Sequence, residues 1–358
     1  MEAQSVDLLI EIKETVGIIT LNRPKALNSL NLEMIRGMHQ ILQEWEKNPQ
    51  ISAVVIQGAG EKAFCAGGDI RQLYDSVKSG GDDHMTFFEE EFVLNEYIFR
   101  YPKPYIALMD RYVMGGGMGI SQGASIRIVS ELSKLAMPET GIGYFPDVGG
   151  SYFLSRCPGS LGLYLGITGL IFDGADAIYA GLADWYLPHD HFQILMQELV
   201  TLSKNPKEMT KEKISRILER KLGGETNLFT KGRSKLAKLK FAIENHFSKP
   251  TVPQIVESLK NEKNPEFTEW ANQTLEIMEK RSTFAMVGTQ LLLRYGRELN
   301  LSQCFAMEYG LIPGWMKEGD FIEGVRSVII DKDFKPQWKY SLNDLNVEQI
   351  EGLFAHVK

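Results

Sequence analysis

Two kinds of residue in this chain could do acyl chemistry: glycines bunched into bare turns, and carboxylates set among apolar neighbours. Gly115, Gly116 and Gly117 stand together in VMGGGMGISQG. Without side chains there, backbone N–H groups can approach a ligand atom closely, and a following helix would aim its positive end at the same point. That is how an oxyanion hole is built, with fixed donors meeting an oxygen as it gains charge. A second turn, Gly67-Gly68 in GEKAFCAGGDIRQLYDSV, precedes another helical segment that Asp69 could cap, and offers a second donor. Further on, MPETGIGYFPDVGG embeds Glu139 and Asp147 among apolar residues and glycines. A single carboxylate suffices to activate water or to attack an acyl carbon, whereas adding water across a double bond needs a base and an acid.

Each of these features has a plainer reading. A Gly-Gly-Gly run is ordinarily a flexible turn, Glu139 after Pro138 is a suitable acid at a helix start, and Asp147 before Gly149-Gly150 suits a turn. Glu91 lies in an EEE run whose usual fate is a solvated helix face. Gly119-Ile120-Ser121-Gln122-Gly123 matches the G-x-S-x-G pattern of serine hydrolases, but a glycine turn rather than a strand leads into it, so Ser121 reads as an ordinary helix residue. His189-Asp190-His191 lacks a third ligand at a recognisable spacing, so it reads as a surface turn and no metal is expected.

Composition sets the class around these residues. The chain has 358 residues, 44% hydrophobic and 24% charged, enough for a sizeable core in one large or two modest domains. No apolar run approaches the length of a bilayer span, and the net charge of -7 argues against nucleic acid or an anionic membrane as partner. The start, MEAQSVDLLIEIKET, is unlike a signal or transit peptide, and Cys65, Cys157 and Cys304 are scattered, which points to a reducing, cytoplasmic setting.

The elements that must position the glycines and acids follow in order. Leu8 to Ile12 and Val16 to Leu21 read as strands joined by a tight turn at Glu14-Thr15. Met34, Ile35, Met38, Ile41, Leu42 and Trp45 recur at helical spacing and predict a helix from Asn31 to Asn48-Pro49. Ala53 to Gly58 reads as a buried strand, so strand, helix, strand implies a right-handed crossover and an α/β fold. FFEEEFVLNEYIF reads as a helix burying Phe88, Phe92, Leu94 and Ile98. Strands are expected from Lys103 and at Ile126 to Val129, with a helix through Ser121 between them. Beyond Gly150 come short helices and glycine turns, then a charged helical insertion from His191 to about Met278 that covers the core. Its basic cluster, Lys231 to Lys240, reads as a solvated face. Helices begin again at Phe284, Met286, Gln290 and Leu291.

LNRPKALNSL, AFCAGGDI, MGGGMG and PETGIGYFPDVGG, in this order and at these separations, resemble the crotonase (enoyl-CoA hydratase/isomerase) superfamily. MEYGL at Met307 to Leu311, DFIEGVRSVIIDKD at Asp320 to Asp333, and PQWKY at Pro336 to Tyr340 look like its 3-hydroxyisobutyryl-CoA hydrolase branch. The resemblance implies a ClpP-like α/β spiral of repeated ββα units over residues 1–190, with a helical insertion and C-terminal region over 191–358.

It also implies roles. The oxyanion hole would fall on the N–H groups of Gly68 and Gly116. Hydratases carry two glutamates; the position of the first is Gly119 here, and the second matches Glu139. The hydrolase branch uses a glutamate and an aspartate matching Glu139 and Asp147, and Glu91 matches another residue of its substrate site. Lys25, Ala26 and Leu27 would meet the adenine end of coenzyme A, with Ala66, Gly67 and Gly68 along the pantetheine arm. Arg23 and Lys25 suit the neighbourhood of phosphates. The expected activity is hydrolysis of a short branched 3-hydroxyacyl-CoA in valine breakdown, with coenzyme A entering as part of the substrate and no other cofactor. Asp147 would hold the substrate hydroxyl and tune Glu139. Glu139 reads equally as general base or nucleophile. A hydratase or isomerase, or a non-catalytic acyl-CoA binder, are the alternatives, and a homo-oligomer is compatible with the family.

Overall fold

The chain is described by a computed structural model covering residues 6–226, 232–342 and 344–355. Its first hairpin follows from residue type. Every residue of β2 (Val16–Leu21) is buried, and β1 (Leu8–Lys13) pairs with it antiparallel in the register Lys13↔Val16. Two residues make the turn, with Glu14 at φ 54. Asn31 then caps α1 (Leu32–Lys47) by accepting from the Met34 N–H at 2.8 Å. The helix buries Met34, Ile35, Met38, Leu42 and Trp45, and the Trp45 indole occupies the space that a side chain at Gly17 would need. It returns the chain to β3 (Ala53–Gly58), parallel to β2 in the register Val16↔Ala53.

Repetition of this step builds a six-stranded sheet in the order β1-β2-β3-β5-β7-β10, parallel beyond the hairpin, with β5 at Tyr105–Met109, β7 at Ile126–Val129 and β10 at Trp185–Tyr186. A smaller sheet orders β4 (Ala63–Cys65), β6 (Tyr112–Met114), β8 (Lys134–Ala136) and β9 (Phe172–Asp173). The spacing of apolar residues does not anticipate this second sheet, because its strands hold only two or three residues each. Between strands run α2 (Ile70–Ser79), α3 (Asp83–Phe99) and α4 (Gly116–Gln122).

Contacts group the chain into two compact units. One is drawn from Met1–Gly68, Val93–Leu135 and Phe172–Ala237, the other from Asp69–Phe92, Ala136–Ile171 and Lys238–Lys358. The division expected at residue 190 follows chain order; these units interleave along the chain.

In the first unit, Val16, Ile18, Val55, Ile106, Leu108, Ile126 and Ile128 form one apolar cluster with Leu195, Leu199, Ile214 and Leu218. The latter come from helices Phe192–Ser203 and Lys211–Lys221, at the front of the charged segment, which pack on the large sheet. The back of the insertion, from Lys238, belongs to the second unit. Of the expected basic cluster, Lys231 lies outside the described residues, and Arg233 pairs with Glu225.

The second unit is mainly helical. Helices Thr283–Glu298 and Leu301–Glu318 meet at Gly288, where any side chain would collide with the Trp315 indole. Trp315 donates its ring N–H to Gly143 O at 3.0 Å, and Phe145, Phe284 and Tyr144 pack edge-on against it. Ser282 and the Lys339 N–H share the buried Asp320 carboxylate, tying the tail to this core. Among the described residues no helix is long and apolar enough to cross a membrane.

Candidate active site

The first unit brings its two glycine turns together. Gly67 has φ 111, and a Cβ added to it would stand 3.5 Å from Met114 O and 3.8 Å from Gly116 N. Gly115 has φ 47, a conformation that L side chains rarely adopt. Gly116 opens α4, so its N–H has no carbonyl a turn earlier within the helix to bond. Gly68 bridges Leu30 in parallel, with Gly67 O accepting the Leu30 N–H at 2.8 Å. Because α4 is only 7 residues long, the individual amides matter more here than a helix dipole.

The loop expected to meet coenzyme A lies against the same turn. Pro24–Ala26 is a single 3-10 turn ending at Leu27 with φ 52, and Leu27 O accepts the Ala66 N–H at 3.0 Å. Buried Asn28 secures it, donating to Ala59 O at 2.9 Å and Ala63 O at 2.8 Å while accepting from Arg23 N. Lys25, Ala26 and Leu27 are thereby joined to Ala66, Gly67 and Gly68. Lys25 is exposed, but Arg23 donates to Ser29 O and lies 3.5 Å from Asp7. The arginine is thus engaged within the protein rather than held open for an anion.

The acids are gathered in the second unit. Glu139 begins the 3-10 turn Glu139–Ile142 behind Pro138, and Asp147 begins the turn closed by Gly150 N to Asp147 O at 2.6 Å. The plain readings of both positions are therefore true of the backbone, yet each side chain is only 6% exposed. Glu91, on α3, is 2% exposed and faces inward rather than to water. Phe88 stacks on Tyr144 and Phe92 packs on Phe305 in the same interior.

Electrostatics follow from this burial. Desolvation pushes Glu139 up to about 8, opposed by its own backbone amide and reinforced by Glu91. Glu91 is likewise raised to about 8 by burial. Asp147 is held well above the usual carboxylate range, first by burial and then by Glu91, Glu139 and Glu308. One oxygen of Glu139, one of Glu91 and the Tyr144 hydroxyl have no hydrogen-bond partner among the described residues. Buried polar atoms are seldom left so, and a bound ligand would satisfy them.

The sequence model of the enoyl-CoA hydratase/isomerase family matches residues 16–354. This chain belongs to that family. Among curated relatives, the mitochondrial 3-hydroxyisobutyryl-CoA hydrolase of Rattus norvegicus is 39% identical over 98% of this chain and 89% of its own length. That of Danio rerio is 41% identical over 94% and 85%. Among solved structures, a carnitinyl-CoA dehydratase from Mycobacterium thermoresistibile superposes with a TM-score of 0.87 at 35% identity, covering 98% of this chain and 97% of that one. An enoyl-CoA hydratase from Rhodobacter sphaeroides gives 0.85 at 33% identity, with the same coverage. The crotonase fold and the hydrolase branch expected from the motifs agree with these likenesses.

Within this crotonase-family chain the rival motifs have other employment. Ser121 is fully buried and donates to Gly117 O at 2.7 Å, as a helix residue does. His189 lies 2.9 Å from Asp110 beside a surface cleft of about 290 Å³ in the first unit, while His191 Nδ1 meets Leu222 O. The two histidines are used separately. One acid escaped the sequence reading: Glu308, fully buried on the helix Leu301–Glu318. Its signal was its place on the apolar stripe that runs through Cys304, Leu311, Ile312 and Trp315.

Proposed function

We propose that the chain hydrolyses the thioester of 3-hydroxyisobutyryl-CoA, or of a similar short 3-hydroxyacyl-CoA, releasing the free acid and coenzyme A. The observation that carries this reading is the buried Glu139 carboxyl, with one oxygen left without a partner among the described residues, in a family member whose α4 has Gly119 where hydratases carry their other glutamate. The relatives named as 3-hydroxyisobutyryl-CoA hydrolases, at about 40% identity over nearly the whole chain, support the same reaction.

In the proposed reaction the N–H groups of Gly68 and Gly116 receive the thioester oxygen, and Glu139 acts as its carboxylate on the same acyl group. As a base, Glu139 takes a proton from water while the hydroxide adds to the acyl carbon. The tetrahedral oxyanion then collapses and expels the coenzyme A thiolate, which is protonated. As a nucleophile, Glu139 displaces the thiolate and forms an anhydride that water opens. Asp147 receives the substrate hydroxyl and Glu91 lines the acyl site. Lys25, Ala26, Leu27, Ala66 and Gly67 receive coenzyme A. Neither route requires a cofactor beyond coenzyme A carried by the substrate, and valine breakdown is the metabolic setting we assign.

The relatives' names say mitochondrial, which does not support the cytoplasmic setting read from the sequence. Cys65, Cys157 and Cys304 are buried and form no disulfide, which suits a reducing compartment.

The solved structures titled as dehydratase and hydratase give the second reading, water addition to an enoyl-CoA. Incubation with 3-hydroxyisobutyryl-CoA and with crotonyl-CoA separates the two. Thiol release from the first alone supports the hydrolase, whereas loss of enone absorbance without thiol release supports the hydratase. Neither signal would leave an acyl-CoA binder.

A further inference from the structure

Glu308 has no part in the reaction as drawn, yet it is fully buried and both of its oxygens are engaged. Oε2 accepts the Gly149 N–H at 2.8 Å, and Oε1 accepts the Ser151 N–H at 2.9 Å and the Ser151 hydroxyl. One of these donor residues lies within, and the other just past, a turn closed by Gly150 N to Asp147 O. Both central residues of the turn are left-handed, Val148 at φ 52 and Gly149 at φ 86. Glycine adopts that conformation freely. A β-branched valine does not, and a residue so held persists only when its surroundings over-determine it.

What over-determines Val148 is a carboxylate reached from 157 to 159 residues away along the chain. Charge-assisted bonds to backbone amides are stronger than neutral ones, and here two amides and a hydroxyl converge on a single group. Glutamine in its place would present one acceptor oxygen and would turn an NH2 toward some of these donors. Burial pushes Glu308 up to about 7, with the same three donors pulling the other way.

We propose that Glu308 is a positioning residue for substrate selection: by clamping the turn 147–151 it fixes the direction of the Asp147 side chain, which reads the acyl hydroxyl. This deepens the functional reading above and rests on it, since Asp147 must be the group that senses the hydroxyl. A purely structural brace would slow every substrate alike, or lower stability alone. A positioning residue selectively affects the substrate that bears the hydroxyl.

The test measures kcat and KM by thiol release from 3-hydroxyisobutyryl-CoA and from isobutyryl-CoA, which lacks the hydroxyl. The proteins are wild type, Asp147→Asn, Glu308→Gln and Ser151→Ala. Wild type is expected to prefer the hydroxylated substrate, and Asp147→Asn to lose the preference. Glu308→Gln should cut the preference by about tenfold, acting on the hydroxylated substrate, and Ser151→Ala by about threefold in the same direction. Loss of preference in Asp147→Asn with wild-type preference in folded Glu308→Gln and in Ser151→Ala overturns the positioning role alone. Should Glu308→Gln fail to fold, Ser151→Ala decides. No preference in wild type, or preference kept by Asp147→Asn, overturns the role of Asp147 and this proposal with it.

Discussion

Gly117 lacks a side chain because Cys65 leaves it no room. A Cβ at Gly117 would come to 3.0 Å from Cys65 Cβ and closer still to the Cys65 carbonyl oxygen. Since β4 ends at Cys65 and α4 contains Gly117, this contact sets how near the two glycine turns can lie. Gly117→Ala should therefore destabilise the protein by about 2 kcal/mol, as overpacking against backbone does, and should reduce thiol release further than the lost fold accounts for. Thermal unfolding alongside kcat measured well below the melting temperature checks it. Wild-type kcat in the folded variant would detach the oxyanion role from this geometry.

Glu139→Gln should lower kcat by about 10²–10⁴-fold while leaving acyl-CoA affinity near wild type, because the change removes an ionisable group and keeps its shape. Equilibrium binding of a non-hydrolysable thioether analogue provides the second readout. Wild-type turnover in this variant would refute the assigned role.

The pH profile carries the same claim in another form. Burial raises Glu139 to about 8, and either a base or a nucleophile must be ionised, so activity should climb as pH rises, with a midpoint near 8 in kcat/KM. Glu91 adds to that rise, so Glu91→Gln should move the midpoint downward. A midpoint unchanged in the variant would show that the two carboxyls do not interact.

Stability should respond in the opposite sense. Glu139 in the folded chain keeps its proton to about 8, against 4.5 for the ordinary carboxyl, so across that window the native state binds more protons than the unfolded one. Stability then falls as pH rises from about 4.5 to 8. Glu139→Gln cannot ionise and escapes this loss. It should melt about 2 °C or more above wild type at pH 8, with the gap closing towards pH 5, as calorimetry would show.

How much of this was legible in the sequence differed with the length scale of the signal. β2 and β3 lie at the residues read as strands, and α1 begins one residue after the expected start at Asn31, because each is a run of five or more residues with one clear period. β4, β6 and β8 are three residues each, too short for any period, and are held by partners far along the chain. Glu139 and Asp147 stood out because glycine and proline bracket them. Glu91 did not, since the neighbouring Glu89 is solvated and local composition cannot say which acid of a helix turns inward. Glu308 was hidden for a similar reason. Its partners, Gly149 and Ser151, declare themselves only in three dimensions.

The helices Phe192–Ser203 and Lys211–Lys221, for all their lysines and glutamates, roof one side of the large sheet through Leu195, Leu199, Ile214 and Leu218. A fragment truncated at residue 190 would lay bare Val16, Ile18, Val55 and Ile106 to solvent, presenting a greasy plane with every tendency to stick to its like. Expression of such a fragment should yield insoluble material. The stretch that looks most dispensable by its charge is the one that keeps the strands from precipitating.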